Sequence, residues 1–192
     1  MEELEPHDYT ESSHLAVREP AEADVGLYRD LMSSFPTGVS VVTTIDGDGR
    51  PRGATCTSLT SVTLSPPTLL VCLNERGGTL RAVLASRRFA VNLLHAGGRR
   101  AATVFSSRCV DKFADVASEP WACFGLPFLH HDAFAVAACE VAEDVHIGDH
   151  RIVIGRVLDI RVSPGVPLTY GLRHFLPWPL AVPAAGARLA KR

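Results

Sequence analysis

The 192-residue chain is predicted to be mainly β, an antiparallel barrel with small helices plugging its ends. Three observations carry this reading. Many short β-branched and apolar runs are separated by turn residues. Helical periodicity is confined to a few brief stretches. No strand alternates with helices of about 10–15 residues, the rhythm that a parallel βαβ sheet needs, and no internal repeat occurs. Neither G-x-G-x-x-G after a strand nor G-x-x-x-x-G-K-[ST] is present, so neither a Rossmann domain nor a P-loop is supported.

The elements follow in order. Residues 1–22 are polar and acidic and are expected to form a mobile N-terminal extension, ahead of one domain over 23–178 and a Pro/Ala-rich tail over 179–192. Leu27, Leu31 and Met32 recur at helical spacing, Asp24 can cap, and Pro36 lies beyond the end, which predicts a helix over 24–34. "GVSVVTTI" (38–45) is a strand ending in the Asp46-Gly47-Asp48-Gly49 turn, and "RPRGATCTS" (50–58) returns. "PTLLVCLN" (67–74) reads as a strand buried on both faces. A helix capped by Thr79 is expected over 79–86, a strand over 88–94 and a brief helix over 101–105. Residues 107–132 read as irregular. Long strands over 133–145 and 150–162 pair around a turn, and "PLTYGLRHF" (167–175) closes the pattern.

Composition bounds the function. Hydrophobic content of 46% and mean hydropathy of +0.13 exclude a disordered chain. A net charge of -2 argues against a nucleic-acid binder, which needs clustered cations. The apolar stretch 175–190 is broken by Pro177, Pro179 and Pro183, so no membrane partner is expected. The first 24 residues carry eight acids against the single base Arg18, which speaks against a secretory signal. The five cysteines are scattered without any C-x-x-C, as in a reduced, cytoplasmic protein.

Four constellations could carry chemistry. In "TCTSLTSVT" (55–63) six of nine residues bear hydroxyls, which suits a phosphate or a flavin edge, although a threonine-rich strand needs no ligand. In "NERGGTL" (74–80) a strand ends, two glycines follow and a helix opens, a geometry that lets backbone N–H groups reach an anion, with Arg76 adding charge; an ordinary capped loop is the alternative. Asn92, inside the apolar strand "FAVNLL", must bond either a ligand or neighbouring backbone. Finally, "VHIGDHRIVIGRV" (145–157) pairs His146 with His150 at a spacing that shares one face only in a helix. Gly148 and the β pattern make it a turn instead, so no metal site is assigned. A Ser-His-Asp hydrolase lacks G-x-S-x-G, and the adjacent Asp149 and His150 are expected to diverge on extended backbone.

Read together, six ordered segments resemble the short-chain flavin reductase family, the reductase components of two-component flavin-dependent monooxygenases. They are "FPTGVSVVTT" (35–44), "GATCTSLTSVTLSPPTLLVCLN" (53–74), "FAVNLL" (89–94), "DKF" (111–113), "GDH" (148–150) and "PLTYGLRHF" (167–175). The resemblance covers about residues 25–178. It implies an FMN-binding split barrel, usually a homodimer. It implies hydride transfer from NADH or NADPH to FMN or FAD, with the reduced flavin diffusing to a separate monooxygenase.

By the same resemblance Thr55, Cys56, Thr57, Ser58 and Ser61 line the isoalloxazine and ribityl groups. Asn74, Gly77, Gly78 and Thr79 face the phosphate end. Asn92 and Leu93 flank the flavin, with Lys112 and Phe113 nearby. His150 is the catalytic-site residue that positions the nicotinamide, on a turn shaped by Gly148 and Asp149 and helped by Tyr170, Arg173 and His174. Relatives often carry serine at Cys56 and at Gly77-Gly78, so phosphate contacts here are expected to be mainly backbone. Competing readings are a flavoprotein of this fold that retains its flavin and reduces a quinone or metal complex, and a non-catalytic flavin- or haem-binding module.

Overall fold

The computed structural model describes residues 22–109 and 111–178. The expectations for residues 1–21 and for the 179–192 tail fall outside the described residues. The chain runs α1 (Val25–Ser33), β1 (Thr37–Gly38), β2 (Ser40–Ile45), β3 (Pro51–Cys56), β4 (Thr60–Leu64), β5 (Pro67–Asn74), α2 (Gly78–Ser86), β6 (Arg88–Leu94), a 3-10 turn (Ala96–Gly98), α3 (Arg99–Ser106), β7 (Glu119–Pro120), β8 (Pro127–Phe128), β9 (Ala133–Ile147), β10 (His150–Val162), β11 (Leu168–Gly171) and β12 (His174–Pro177).

Seven strands form one antiparallel sheet in the order β3-β2-β6-β9-β10-β5-β4. Its hydrogen-bond ladder stays open, which is the split of the barrel. The gap is stitched by one side chain just beyond β3: the Ser58 hydroxyl accepts from Cys72 N–H of β5 (2.9 Å) and donates to Cys72 O (3.3 Å). Val42, Val71, Phe89, Val91 and Val153 fill the interior, and α2 plugs it with Leu80 and Val83. On the other side of the sheet α3 buries Ala101, Ala102 and Phe105 against Val39, Val41 and Leu129. The sequence reading of a barrel with small helical plugs therefore holds.

Three local expectations change. Residues 60–64, to which the sequence assigns no element, form edge strand β4; its Ser/Thr side chains are all exposed, so no apolar alternation marks it. Because β5 lies beside that edge, only Val71 and Leu73 of it are buried rather than both faces. Helix α2 is capped by Gly77 without a side-chain bond, while Thr79 sits buried within its first turn. Helix α1 forms with Asp24 capping Leu27 N–H (2.9 Å), yet none of its residues is buried; Leu27 and Leu31 are 71% and 67% exposed. Among the described residues no helix is long and apolar enough to cross a membrane.

Candidate active site

A cationic cavity of about 490 Å3 opens at the N-terminus of α2. The chain reaches it from β5 through a tight turn in which Asn74 Oδ1 accepts from Arg76 N–H and Asn74 O accepts from Gly77 N–H, both at 2.9 Å. A Cβ on Gly77 would stand 3.0 Å from that carbonyl, so the turn favours glycine. No side chain caps α2, and its first residues Gly78 and Thr79 line the cavity, where a helix start favours negative charge. Around them stand Arg52, Arg76, Arg81, Arg108 and Lys112, and among the described residues no carboxylate lines the cavity.

Two of these cations are already employed by the fold. Arg52 pairs with Asp46 (2.8 Å), whose carboxyl the Arg50 N–H and the Arg52 guanidinium hold below the usual carboxylate range. Lys112 donates to Phe105 O (2.8 Å) and Gly53 O (3.3 Å), clamping the end of α3 to β3, and burial pulls its ammonium below the ordinary lysine value. Phe113 meets Phe105 edge-on with ring centroids 5.0 Å apart. Arg76, Arg81 and Arg108 make no ion pair among the described residues. Guanidinium groups without carboxylate partners, beside a helix N-terminus that no side chain caps, are suited to an anion.

A larger cavity of about 1310 Å3 lies at the other end of β3, between α1, the 57–60 loop, Leu93 and the β11–β12 hairpin. Strand β3 joins the two: Gly53 lines the first and Thr57 the second, about 13 Å apart along an extended backbone. Tyr170 and Arg173 enter the larger cavity from the hairpin. Its turn residues Leu172 and Arg173 both have positive φ (48° and 65°), an unfavourable conformation for side-chain-bearing residues. The turn is held by Leu172 N–H on Ser33 O and by Arg173 on Asp30, each at 2.6 Å.

The β9–β10 turn forms the third component. Gly148 takes φ +58°, which reverses the chain and swings the next two side chains together. Asp149 and His150, expected to diverge, touch: Oδ1 and Nδ1 are 2.7 Å apart, because the backbone there turns. This contact holds the Asp149 carboxyl below its ordinary range. The turn leans on the loop of the cationic cavity through Glu75 N–H on Asp149 O (2.9 Å). His150 faces Ile147 in register and His146 faces Arg151, which puts the two histidines on opposite faces. His146 instead reaches Glu75, Nε2 to Oε1, at 3.7 Å.

The predicted residues thus divide. Gly77, Gly78, Thr79, Lys112 and Phe113 gather at the cationic cavity, and Thr57, Ser58, Leu93, Tyr170 and Arg173 at the larger one. Asn74, Gly148, Asp149 and His150 meet at the turn. Other side chains are consumed by the fold. Thr55 Oγ1 donates to Ala102 O (2.6 Å), and Ser58 is held in the barrel seam. Cys56 lies in the core with its thiol pushed up by burial. Ser61 and His174 are exposed and line neither cavity.

Asn92 is fully buried. Its amide donates to Val41 O (3.1 Å) and Thr43 Oγ1 (3.0 Å) and accepts from Leu129 N–H (3.0 Å), so its polar atoms face the core and bond the protein itself. Asn92→Leu orphans the buried Leu129 N–H and is expected to cost about 2 kcal/mol, read as a lower urea midpoint at unchanged m with flavin affinity unaltered. Arg52, Arg81 and Arg108 were not singled out from the sequence. They come from three separate segments, and only the fold brings them together.

Comparison with known proteins follows this geometry. Residues 32–179 match the family described as "Flavin reductase like domain". Over 151 residues the chain is 55% identical to the flavin reductase (NADPH) of Lentzea aerocolonigenes, spanning 79% of this chain and 88% of that one. It is 34% identical over 166 residues to the reductase component of the 4-nitrophenol 4-monooxygenase/4-nitrocatechol 2-monooxygenase of Rhodococcus opacus, spanning 81% and 83%. A solved NADH:FAD oxidoreductase of Streptomyces globisporus, in complex with NAD and FAD fragments, superposes with a TM-score of 0.76 at 32% identity, covering 86% of this chain and 100% of that one.

Proposed function

This chain belongs to the flavin reductase-like family, and from that premise we propose that it binds its two nucleotides along the path that joins the two cavities through β3. It is an NAD(P)H-dependent oxidoreductase that reduces FMN or FAD. The observation that supports this siting is the carboxylate-free group of Arg76, Arg81 and Arg108 at the open N-terminus of α2.

The residues fit a flavin nucleotide. Its phosphate matches the cationic cavity, held by the first N–H groups of α2 and by the three arginines. The isoalloxazine matches the larger cavity, beside the backbone of Thr57 and Ser58 and against Leu93. Backbone N–H groups there can stabilise negative charge on the ring, while the Ser58 hydroxyl stays in the seam. The flavin supplies an electron-accepting ring; what the protein supplies is position. His150, braced by Asp149, holds the nicotinamide. Tyr170 and Arg173, the latter paired with Asp30, line the larger cavity and flank the dinucleotide there. No nucleophile takes part in this assignment.

An anaerobic assay tests it. The protein is mixed with FMN or FAD and with NADH or NADPH in each pairing, and both absorbances are followed. Bleaching of flavin with matching loss of reduced nicotinamide is expected, and no bleaching in any pairing overturns the function. By analogy with the Rhodococcus relative, the reduced flavin serves a separate monooxygenase. The domain is taken as residues 23–178 and the site of action as the cytoplasm; among the described residues the cysteines are free thiols, in keeping with this. A homodimer covers the apolar residues of α1 and of the segment just after it, where Val25, Leu27, Leu31 and Phe35 are exposed. Sedimentation equilibrium should then return twice the 20.7 kDa chain mass.

A further inference from the structure

We propose that Arg151 is a positioning residue that couples the flavin-phosphate loop to the nicotinamide turn, an inference that rests on the siting given above. Arg151 follows His150 on β10 but faces the opposite side of the sheet, away from the turn it serves. Its Nε donates to Glu75 Oε1 (2.9 Å) and its NH1 to Asp144 Oδ1 (2.6 Å). Glu75 lies between Asn74, the register partner of His150, and Arg76 of the cationic cavity. Its N–H also bonds Asp149 O (2.9 Å). One residue is thus held from both sides by the turn that carries His150.

The chain of charges continues to the far end of α2. Asp144 Oδ2 takes Arg87 NH1 (3.4 Å), and Arg87 NH2 donates to Val141 O (2.8 Å). Arg87 is the left-handed C-cap of α2, with φ 55°. Glu75, Arg151, Asp144 and Arg87 therefore fasten α2 to the β9–β10 hairpin just before its first turn and just after its last. The side chains of Glu75, Arg151 and Asp144 are only 29%, 27% and 21% exposed, so these pairs differ from the freely solvated kind that contributes little. Moving the hairpin moves the helix whose N-terminus faces the phosphate. The forked guanidinium reaches two carboxylates at once, which the single ammonium of lysine does less well.

The test uses the full chain with Arg151→Met, Arg151→Lys and Asp144→Asn. Arg151→Met is expected to raise KM for both flavin and NAD(P)H about 10-fold, with kcat changed less than about threefold. Arg151→Lys should recover part of both effects, and Asp144→Asn should shift both constants in the same direction by less. A fall in Tm with both KM values within about twofold of wild type means a purely structural clamp and overturns the proposal. So does a rise in only one KM. If Arg151→Met does not fold, the other two variants decide on the same criteria. A wild-type chain that fails to oxidise NAD(P)H with any flavin overturns the functional reading instead, which separates the two failures.

Discussion

Replacing Arg81 and Arg108 together by methionine is expected to weaken FMN binding about 100-fold while changing riboflavin binding less than about threefold, measured by quenching of flavin fluorescence. Both guanidinium groups line the cavity at the start of α2, and neither pairs with a carboxylate among the described residues. A charge-assisted hydrogen bond contributes about 1.5–3 kcal/mol, so losing two accounts for the factor. Methionine keeps much of the apolar stem and removes only the fork. Arg52 and Lys112 are poor choices for the same experiment, since Arg52 holds the Asp46 turn and Lys112 clamps α3 to β3. The FMN affinity of the wild type should also fall steeply with salt, and the variant's should fall less. Equal losses for FMN and riboflavin would move the phosphate elsewhere and falsify the assignment of this cavity.

Much of this site could be read from the sequence because the signals are local. The N-E-R-G-G-T run announces a strand end, a turn and a helix start, and the structure builds these within seven residues of chain. Gly148 likewise marks the turn that presents His150. What was hidden depends on distant contacts. Thr55 and Asn92 offer polar side chains on strands, and only the approach of α3 and of the 127–129 segment shows that these side chains are bonded within the protein. Ser58 resembled a ligand donor until β5 came alongside it and took its hydroxyl into the barrel seam. Arg81 and Arg108 carry no motif; their function arises from where α2 and the 107–113 segment meet. Asp149 and His150 meet, against the divergence that an extended backbone predicts, because the chain turns there.

His150→Ala is expected to lower kcat/KM for NAD(P)H about 100-fold, the size of effect that a displacement of about 1 Å can produce in a transfer between stacked rings, while flavin Kd stays within about twofold. The imidazole is half exposed, beside the loop of the cationic cavity yet lining neither cavity itself, so it can meet a second ligand without touching the phosphate of the first. Its orientation is not free. Asp149 Oδ1 lies 2.7 Å from Nδ1, which leaves Nε2 as the outward-facing atom. The His150 contact lowers the Asp149 carboxyl, so protonation weakens this contact at a lower pH than it would for an ordinary carboxylate. Asp149→Asn retains an oxygen able to accept from the ring but loses the charge, so it should produce a smaller loss in the same constant. His146→Ala, on the opposite face of the hairpin and 3.7 Å from Glu75, should lower the constant far less than His150→Ala does. A His150→Ala enzyme with unchanged KM for NAD(P)H and weakened flavin binding would place the imidazole at the flavin and end its assignment to the nicotinamide.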